Sequence, residues 1–295
     1  MLAALPLLAL GAAAGLAPPP PPGKTTYIVE SRTDALPILA HTSFAAGPQN
    51  SDWQQVFNPT WVQASPATAN RTGLLVRSQN CTPPADAKPG SCGPTCAGTG
   101  QRASWLTWAE LSDDGGASSK PSVVNHVAAA DAVFGPFDCQ DSGACDDEKG
   151  TEDPRLTYDA ENEQYVLLYN AWSAHSPYSL SIATTKDPTK QAGWTRHGPI
   201  FPKDAKVDGW PGKSGSIVSM ASGPHYVIWS CASALRITPS VGRSMVRWDY
   251  NKTKVLFTVR KAPFWDTGFV ESAMPPLTLS DGNLLFFCAL PATPI

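Results

Sequence analysis

The sequence predicts an all-β fold built from repeated four-stranded units, a β-propeller, and three observations carry that expectation. Helical periodicity is scarce, while Gly (23) and Pro (29) are abundant and break the chain into short runs. Four of those runs are strongly apolar: Gly73-Leu74-Leu75-Val76-Arg77, Tyr165-Val166-Leu167-Leu168-Tyr169, Tyr226-Val227-Ile228-Trp229 and Leu284-Leu285-Phe286-Phe287. Their spacing is regular: Val166 to Val227 is 61 residues and Val227 to Leu284 is 57. From Leu75 to Val166 is 91, because a Cys-rich stretch and a second loop are inserted. A period near 60 residues with about four strands per unit is a propeller signature. A sandwich also gives short strands, but not this repeat; a non-repeating all-β domain is the other alternative.

The last three runs are preceded by hairpin signals. These are Asp159-Ala160-Glu161-Asn162, Ser222-Gly223-Pro224 and Ser280-Asp281-Gly282-Asn283.

Composition narrows the class. Of 295 residues 42% are apolar and only 16% charged, so a sizeable core forms and wholesale disorder is excluded. Lys plus Arg is 22 against 25 Asp plus Glu, a net charge of −3. That balance offers neither a nucleic-acid footprint nor a polybasic membrane patch. Ten Trp suit flat binding surfaces as well as cores.

The chain opens on a Leu- and Ala-rich run, Met1 to Ala17, too short for a comfortable membrane span and followed by Pro18 to Pro22. It reads as a signal peptide over 1–17, although a positive n-region is missing; an uncleaved or anchoring segment is the alternative. A Pro-rich leader with an N-terminal strand follows over 18–50, then the propeller domain over 51–295 with a Cys-rich insertion at 80–100. The expected location is the secretory lumen or outside the cell, with no membrane contact after cleavage. Sequons at Asn70, Asn80 and Asn251 agree with this. So do seven cysteines, five of them close together at Cys81, Cys92, Cys96, Cys139 and Cys145; Cys231 and Cys288 follow apolar runs. Their spacing is poor for zinc, so neither a metal nor a cofactor is expected.

A polar motif precedes each apolar run. These are Phe57-Asn58-Pro59-Thr60, Glu152-Asp153-Pro154-Arg155, Lys213-Ser214-Gly215-Ser216 and Val270-Glu271-Ser272-Ala273. Aligned on Asn58, Asp153, Lys213 and Glu271, they are 95, 60 and 58 residues apart. In a propeller, residues at one end of successive inner strands face each other across the channel. Asn58, Asp153, Arg155, Lys213 and Glu271 are therefore expected to converge. Glycosyl transfer needs one carboxylic acid to protonate the departing oxygen and usually a second to activate water or attack the sugar. Asp153 and Glu271 supply such a pair. The bland alternative is an acid-Pro-Arg turn that pairs its own charges. Trp61, Trp210 and Trp265 lie near these motifs and could stack on a sugar face, although core packing is the commoner use of Trp.

With these motifs the chain resembles the five-bladed propeller glycosidases and phosphorylases of glycoside hydrolase family 130, relatives of the arabinanase and invertase clan. The matching pieces are Phe57-Asn58-Pro59 with Leu74-Leu75-Val76-Arg77, and Glu152-Asp153-Pro154-Arg155-Leu156-Thr157 with its Tyr-rich strand. Then come Ala183-Thr184-Thr185-Lys186-Asp187-Pro188 with Trp194, Lys213, and Trp265 through Pro275-Pro276 to Phe287. The match is collinear from about residue 52 to 287. The resemblance implies an oligosaccharide substrate of β-mannoside type. It implies Asp153 as proton donor acting through a sugar hydroxyl, and Glu271 as second carboxylate. Asn58, Arg77, Arg155, Lys213, Trp61 and Trp265 are the expected substrate contacts, and inversion is the expected stereochemistry.

Two departures matter. The family's phosphorylases carry a His-Arg pair for phosphate where this chain has Trp229-Ser230, which favours water as acceptor. The family also continues for most of another blade and a half beyond the strand ending at Phe287, so an incomplete propeller of about three and a half blades is expected. The leading expectation is a secreted glycoside hydrolase. The alternatives are a phosphate-dependent mannoside phosphorylase, and a non-catalytic carbohydrate-binding propeller or inactive truncated form. The Cys81–Gly100 stretch is predicted to be a surface insertion stapled by at least one disulfide, with Cys92 and Cys96 as candidates. Non-reducing peptide mass mapping should find at least one bridged pair, and five free thiols in the cluster would refute it.

Overall fold

The computed structural model describes residues 55–62, 65–79, 104–111, 123–126, 132–137, 146–173, 178–231, 233–261, 269–279, 281–286 and 288–289. The leader, the Cys81–Cys145 cluster, Asn80 and Trp265 lie outside them, as do the side chains of Cys231 and Cys288.

The described chain is nearly all strand, with two single 3-10 turns at Pro66–Thr68 and Tyr250–Lys252. Three four-stranded antiparallel meanders follow one another in sequence. The first runs β1 (Gln55–Val62), β2 (Gly73–Gln79), β3 (Ser104–Leu111), β4 (Val123–His126). The second is β5 (Gly150–Asp159), β6 (Gln164–Trp172), β7 (Ser179–Thr185), β8 (Thr195–Pro199). The third is β9 (Lys213–Val218), β10 (Tyr226–Cys231), β11 (Ala234–Pro239), β12 (Lys254–Thr258). A fourth unit contributes one hairpin, formed by β13 (Glu271–Ser272) and β14 (Leu277–Thr278) folding back as β15 (Leu284–Leu285) and β16 (Cys288–Ala289). These are propeller blades, three and a half of them among the described residues. The expected all-β propeller holds.

The first strands of the blades pack on one another, β1 on β5, β5 on β9 and β9 on β13, so they line the centre. Burial follows that geometry. Strands β5 and β9 are buried almost throughout, whereas no residue of the outermost β8 and β12 is buried. The middle strands of blades two and three are buried on both faces because each of these blades packs between two others. In β6, Tyr165, Leu167, Tyr169 and Ala171 enter the core shared with blade one, beside Leu75, Leu106 and Trp108. The alternate residues Val166 and Leu168 enter the core shared with blade three, beside Ile217, Val227 and Trp229. Blade three repeats this: Val227 and Trp229 face blade two, while Ile228 and Leu235 face Val270, Leu284 and Phe286 of blade four. A period-two strand thus serves two cores at once, which is why these runs read as continuously apolar.

The hairpin turns form as their residues dictate. The Asp159 carboxylate accepts from the backbone N–H of Glu161 and Asn162, and Asp281 does the same for Asn283. Gly282 takes φ 80°.

Each complete inner strand carries the same irregularity. In β1 the register passes from Phe57↔Arg77 to Thr60↔Leu75, so Asn58 and Pro59 oppose the single residue Val76. In β5, Asp153 and Pro154 oppose Tyr169; in β9, Ser214 and Gly215 oppose Trp229. These are β-bulges, and the first residue of each is left-handed: φ is 48° at Asn58, 50° at Asp153 and 51° at Ser214. The structure differs here from the equivalence expected from sequence. The position matching Asn58 and Asp153 belongs to Ser214, while Lys213 matches Glu152. The sequence reading aligned the charged residue of the third motif, whereas the register aligns its uncharged neighbour. At Gly215 a Cβ would overlap the Leu180 side chain of blade two, so that bulge takes the one residue without a side chain.

Leu168, fully buried between blades two and three, tests this packing. Leu168→Ala should destabilise by about 2–5 kcal/mol, read as a lower urea midpoint with an unchanged m-value.

Candidate functional site

The bulges aim their polar side chains at one another. Asn58 Nδ2 donates to Asp153 Oδ1 at 2.6 Å, linking blades one and two. Asp153 Oδ2 accepts from Asn170 Nδ2 on β6 at 2.9 Å. Asn170 Oδ1 in turn accepts from the Ser214 N–H at 2.8 Å, and Ser214 Oγ donates to Glu271 Oε2 at 3.1 Å. One chain of hydrogen bonds therefore runs from blade one to blade four, and it bridges the two candidate carboxylates through Asn170 and Ser214.

Cations complete the cluster. Arg77, on β2 opposite Phe57, reaches Asp153 Oδ1 with Nη1 at 2.9 Å and Glu152 Oε1 with Nη2 at 2.6 Å. Its Nε donates to Ser104 Oγ at 3.2 Å, and that hydroxyl donates to Glu152 at 3.0 Å. Lys213 Nζ lies 2.5 Å from Glu271 Oε1. Arg155 is placed differently from its expected role as a substrate contact. It is 6% exposed and donates to the backbone carbonyls of Pro154 and Ser272, tying β5 to β13 beneath the carboxylates.

The charges act on one another. Burial alone would push the Asp153 carboxyl up. Arg77, the Asn58 hydrogen bond and the Arg155 charge together outweigh it and hold Asp153 below the usual carboxylate range. Glu152 goes the other way: burial pushes it up, and the Asp153 charge adds to burial against the opposing pull of Arg77. Burial would lower Lys213, but Glu271, with Asp153 behind it, raises it. Burial likewise lowers Arg155 against the pull of Asp153 and Glu271. The two adjacent acids of the Glu-Asp-Pro-Arg turn are thereby split into an anion and a carboxyl that binds its proton more tightly.

The fold thus brings together Asn58, Arg77, Asp153, Arg155, Lys213 and Glu271. It does not bring Trp61, which opposes Leu74 about 10 Å along β1 from Asn58 and is 51% exposed. Trp210 packs on Phe201 and Trp229 at the edge of the core between blades two and three, partly buried, with its indole N–H on the Pro202 carbonyl. Residues the sequence reading passed over are Glu152, Ser104, Asn170 and Ser214. Glu152 sat inside the motif and was legible as a second acid there. Asn170 lies in an apolar run, and only its register opposite Glu152 reveals it. Among the described residues no group of three His, Cys, Asp or Glu is arranged to hold a metal ion.

Fold and site together define a class: an all-β propeller with a carboxylate cluster at the start of its inner strands. The chain is similar to the β-1,2-mannobiose phosphorylase from Listeria innocua, solved with β-1,2-mannobiose, at 16% identity over 81% of this chain and 68% of that one, TM-score 0.56. It is also similar to an α-L-arabinanase from Cellvibrio cellulosa (14% identity, 80% and 64% covered, TM-score 0.47). An endo-arabinase from Bacteroides thetaiotaomicron is a further neighbour (12% identity, 78% and 68% covered, TM-score 0.43). The chain therefore spans about two thirds of the length of these structures. The likeness to the phosphorylase is one of fold, and it agrees with the family resemblance carried by the sequence motifs. No protein-family model and no curated protein matches the chain.

The Arg77 bridge is testable through stability. Its side chain and those of Glu152 and Asp153 are 15%, 10% and 11% exposed. Arg77→Met should cost about 3–5 kcal/mol at neutral pH, because it strands buried carboxylates. The sign with pH follows from Asp153. Its folded pKa is lowered, so its contribution is present above the unfolded value near 4 and is lost as pH falls through the folded value. The gap between Arg77→Met and the parent in denaturant unfolding should therefore shrink below about pH 4.

Proposed function

We propose that this chain is a secreted glycoside hydrolase acting on β-mannoside-like bonds, with Asp153 and Glu271 as its carboxylate pair. The observation that carries the reading is the continuous chain Asp153–Asn170–Ser214–Glu271, which holds two acids from different blades at one end of the channel. Such a pair on a rigid polar frame is what glycosidic cleavage asks for.

Glu271, oriented by Lys213 and Ser214, activates the attacking water. Asp153 serves the departing oxygen through a sugar hydroxyl. In that step the hydroxyl passes its proton to the departing oxygen and takes one from the Asp153 carboxyl, so Asp153 must be protonated when the bond breaks; Arg77 and Asn58 hold it anionic at rest, and Glu152 beside it is the carboxyl that retains a proton more readily. Arg77 and Asn58 hold Asp153 in place.

Water rather than phosphate is the proposed acceptor on two grounds. The three carboxylates Glu152, Asp153 and Glu271 already meet the three cations Arg77, Arg155 and Lys213, which leaves little excess positive charge for a dianion. At the position of the phosphorylases' cationic pair, Trp229 and Ser230 are fully buried. Trp229 donates to Thr238 Oγ1 and Ser230 to the Lys213 carbonyl.

The test is incubation with β-1,2-mannobiose with and without inorganic phosphate. Phosphate-independent release of mannose is expected. Phosphate-dependent release of a sugar 1-phosphate would identify a phosphorylase instead, and binding without turnover a non-catalytic propeller. Asp153→Asn should lower turnover by at least about 100-fold, the low end of general-acid contributions, and Glu271→Gln by a similar factor. Near-parental turnover in either variant would remove that residue from the pair.

A further inference from the structure

Two large aromatic side chains stand at the rim of the cluster, and neither belongs to the motifs or packs in a core. Tyr178 immediately precedes β7 in blade two and is 47% exposed. Phe269 lies just before β13 in blade four and is 37% exposed. Between them, from blade three, comes Lys213. Its Nζ is 5.9 Å from the centre of the Tyr178 ring and 5.8 Å from that of Phe269. The same nitrogen is 2.5 Å from Glu271 Oε1. Three separate blades thus place two exposed rings around the ammonium that orients a candidate catalytic carboxylate.

We propose that Tyr178 and Phe269 form an aromatic sugar-binding subsite, in which a pyranose ring next to the scissile bond lies against one or both rings. The inference rests on the glycosidase reading above. The chemistry fits a neutral sugar. An aromatic face takes up the apolar C–H face of a pyranose, while the Lys213 ammonium hydrogen-bonds its edge hydroxyls. Of the expected tryptophan contacts, Trp61 lies away from the cluster and Trp265 lies outside the described residues.

The site predicts a division of labour between binding and chemistry. Tyr178→Ala and Phe269→Ala should raise KM for β-1,2-mannobiose by roughly 2- to 12-fold each, with kcat changed less, the loss matching a single aromatic contact. Calorimetric titration of the same disaccharide into Asp153→Asn protein, with and without each Ala substitution, should show the same loss of affinity. Tyr178→Phe and Phe269→Tyr should stay within about twofold of the parent, because they keep the ring. Circular dichroism checks that the fold is unchanged, as expected for exposed side chains. Parental affinity in both Ala variants would overturn the subsite while leaving the hydrolase reading in place. So would equal losses in the ring-conserving variants. If the parent neither binds nor cleaves the disaccharide or its longer β-linked oligomers, the subsite and the hydrolase reading fall together.

Discussion

The site depends on a backbone device: a two-for-one bulge near the start of each complete inner strand. A regular strand would send alternate side chains into the two flanking cores and leave none free for the channel. The bulge breaks that alternation at one place per blade. Its first residue takes a left-handed conformation that costs about 1–3 kcal/mol for a residue other than Gly. Asn58 and Asp153 are the residue types that tolerate this conformation best. Ser214 is held there by its N–H bond to Asn170. The second residue is Pro in two blades and Gly in the third.

From that device follows the electrostatic character of the cluster. Once Asn58, Asp153 and Ser214 are turned to one end, the flanking Glu152 and Lys213 come with them, and the neighbouring β2 contributes Arg77. The resulting set is close to neutral but uneven within. Arg77 bridges two acids, and the two differ in what surrounds them: Asp153 has three hydrogen-bond donors on it and Arg155 beneath, whereas Glu152 has burial and a neighbouring anion. Two adjacent carboxyls are thereby differentiated by position alone, the condition under which a pair of acids can take separate roles in bond cleavage. Neutrality also makes an uncharged substrate the better match.

Much of this was legible in the chain. The four apolar runs and their spacing near 60 residues announced repeated blades. The polar motifs ahead of them announced a shared end, because repetition in sequence becomes juxtaposition in a ring. Asn58, Asp153, Arg155, Lys213 and Glu271 were found that way, and they do meet. The phase was off by one residue in the third blade, where the charged Lys213 was aligned with Asp153 although Ser214 holds that bulge position and Lys213 pairs like Glu152. Asn170 was hidden because a polar residue inside Tyr-Val-Leu-Leu-Tyr-Asn-Ala reads as an interruption of the core. Tyr178 and Phe269 were hidden because an aromatic next to a strand reads as packing.

By itself, then, the sequence determined the all-β character, the repeat, the hairpin turns and the residue types that gather at one end. These follow from local propensity and from periodicity, both of which act along the chain. Only the tertiary structure decided which atoms meet: that Asn170 bridges Asp153 to Ser214, that Arg77 joins Glu152 to Asp153, and that Arg155 turns to the Ser272 carbonyl 117 residues away. The reason is physical. Such contacts are set by strand register and blade-to-blade stacking, and a shift of one residue in either exchanges the channel-facing side chain for one buried in a core.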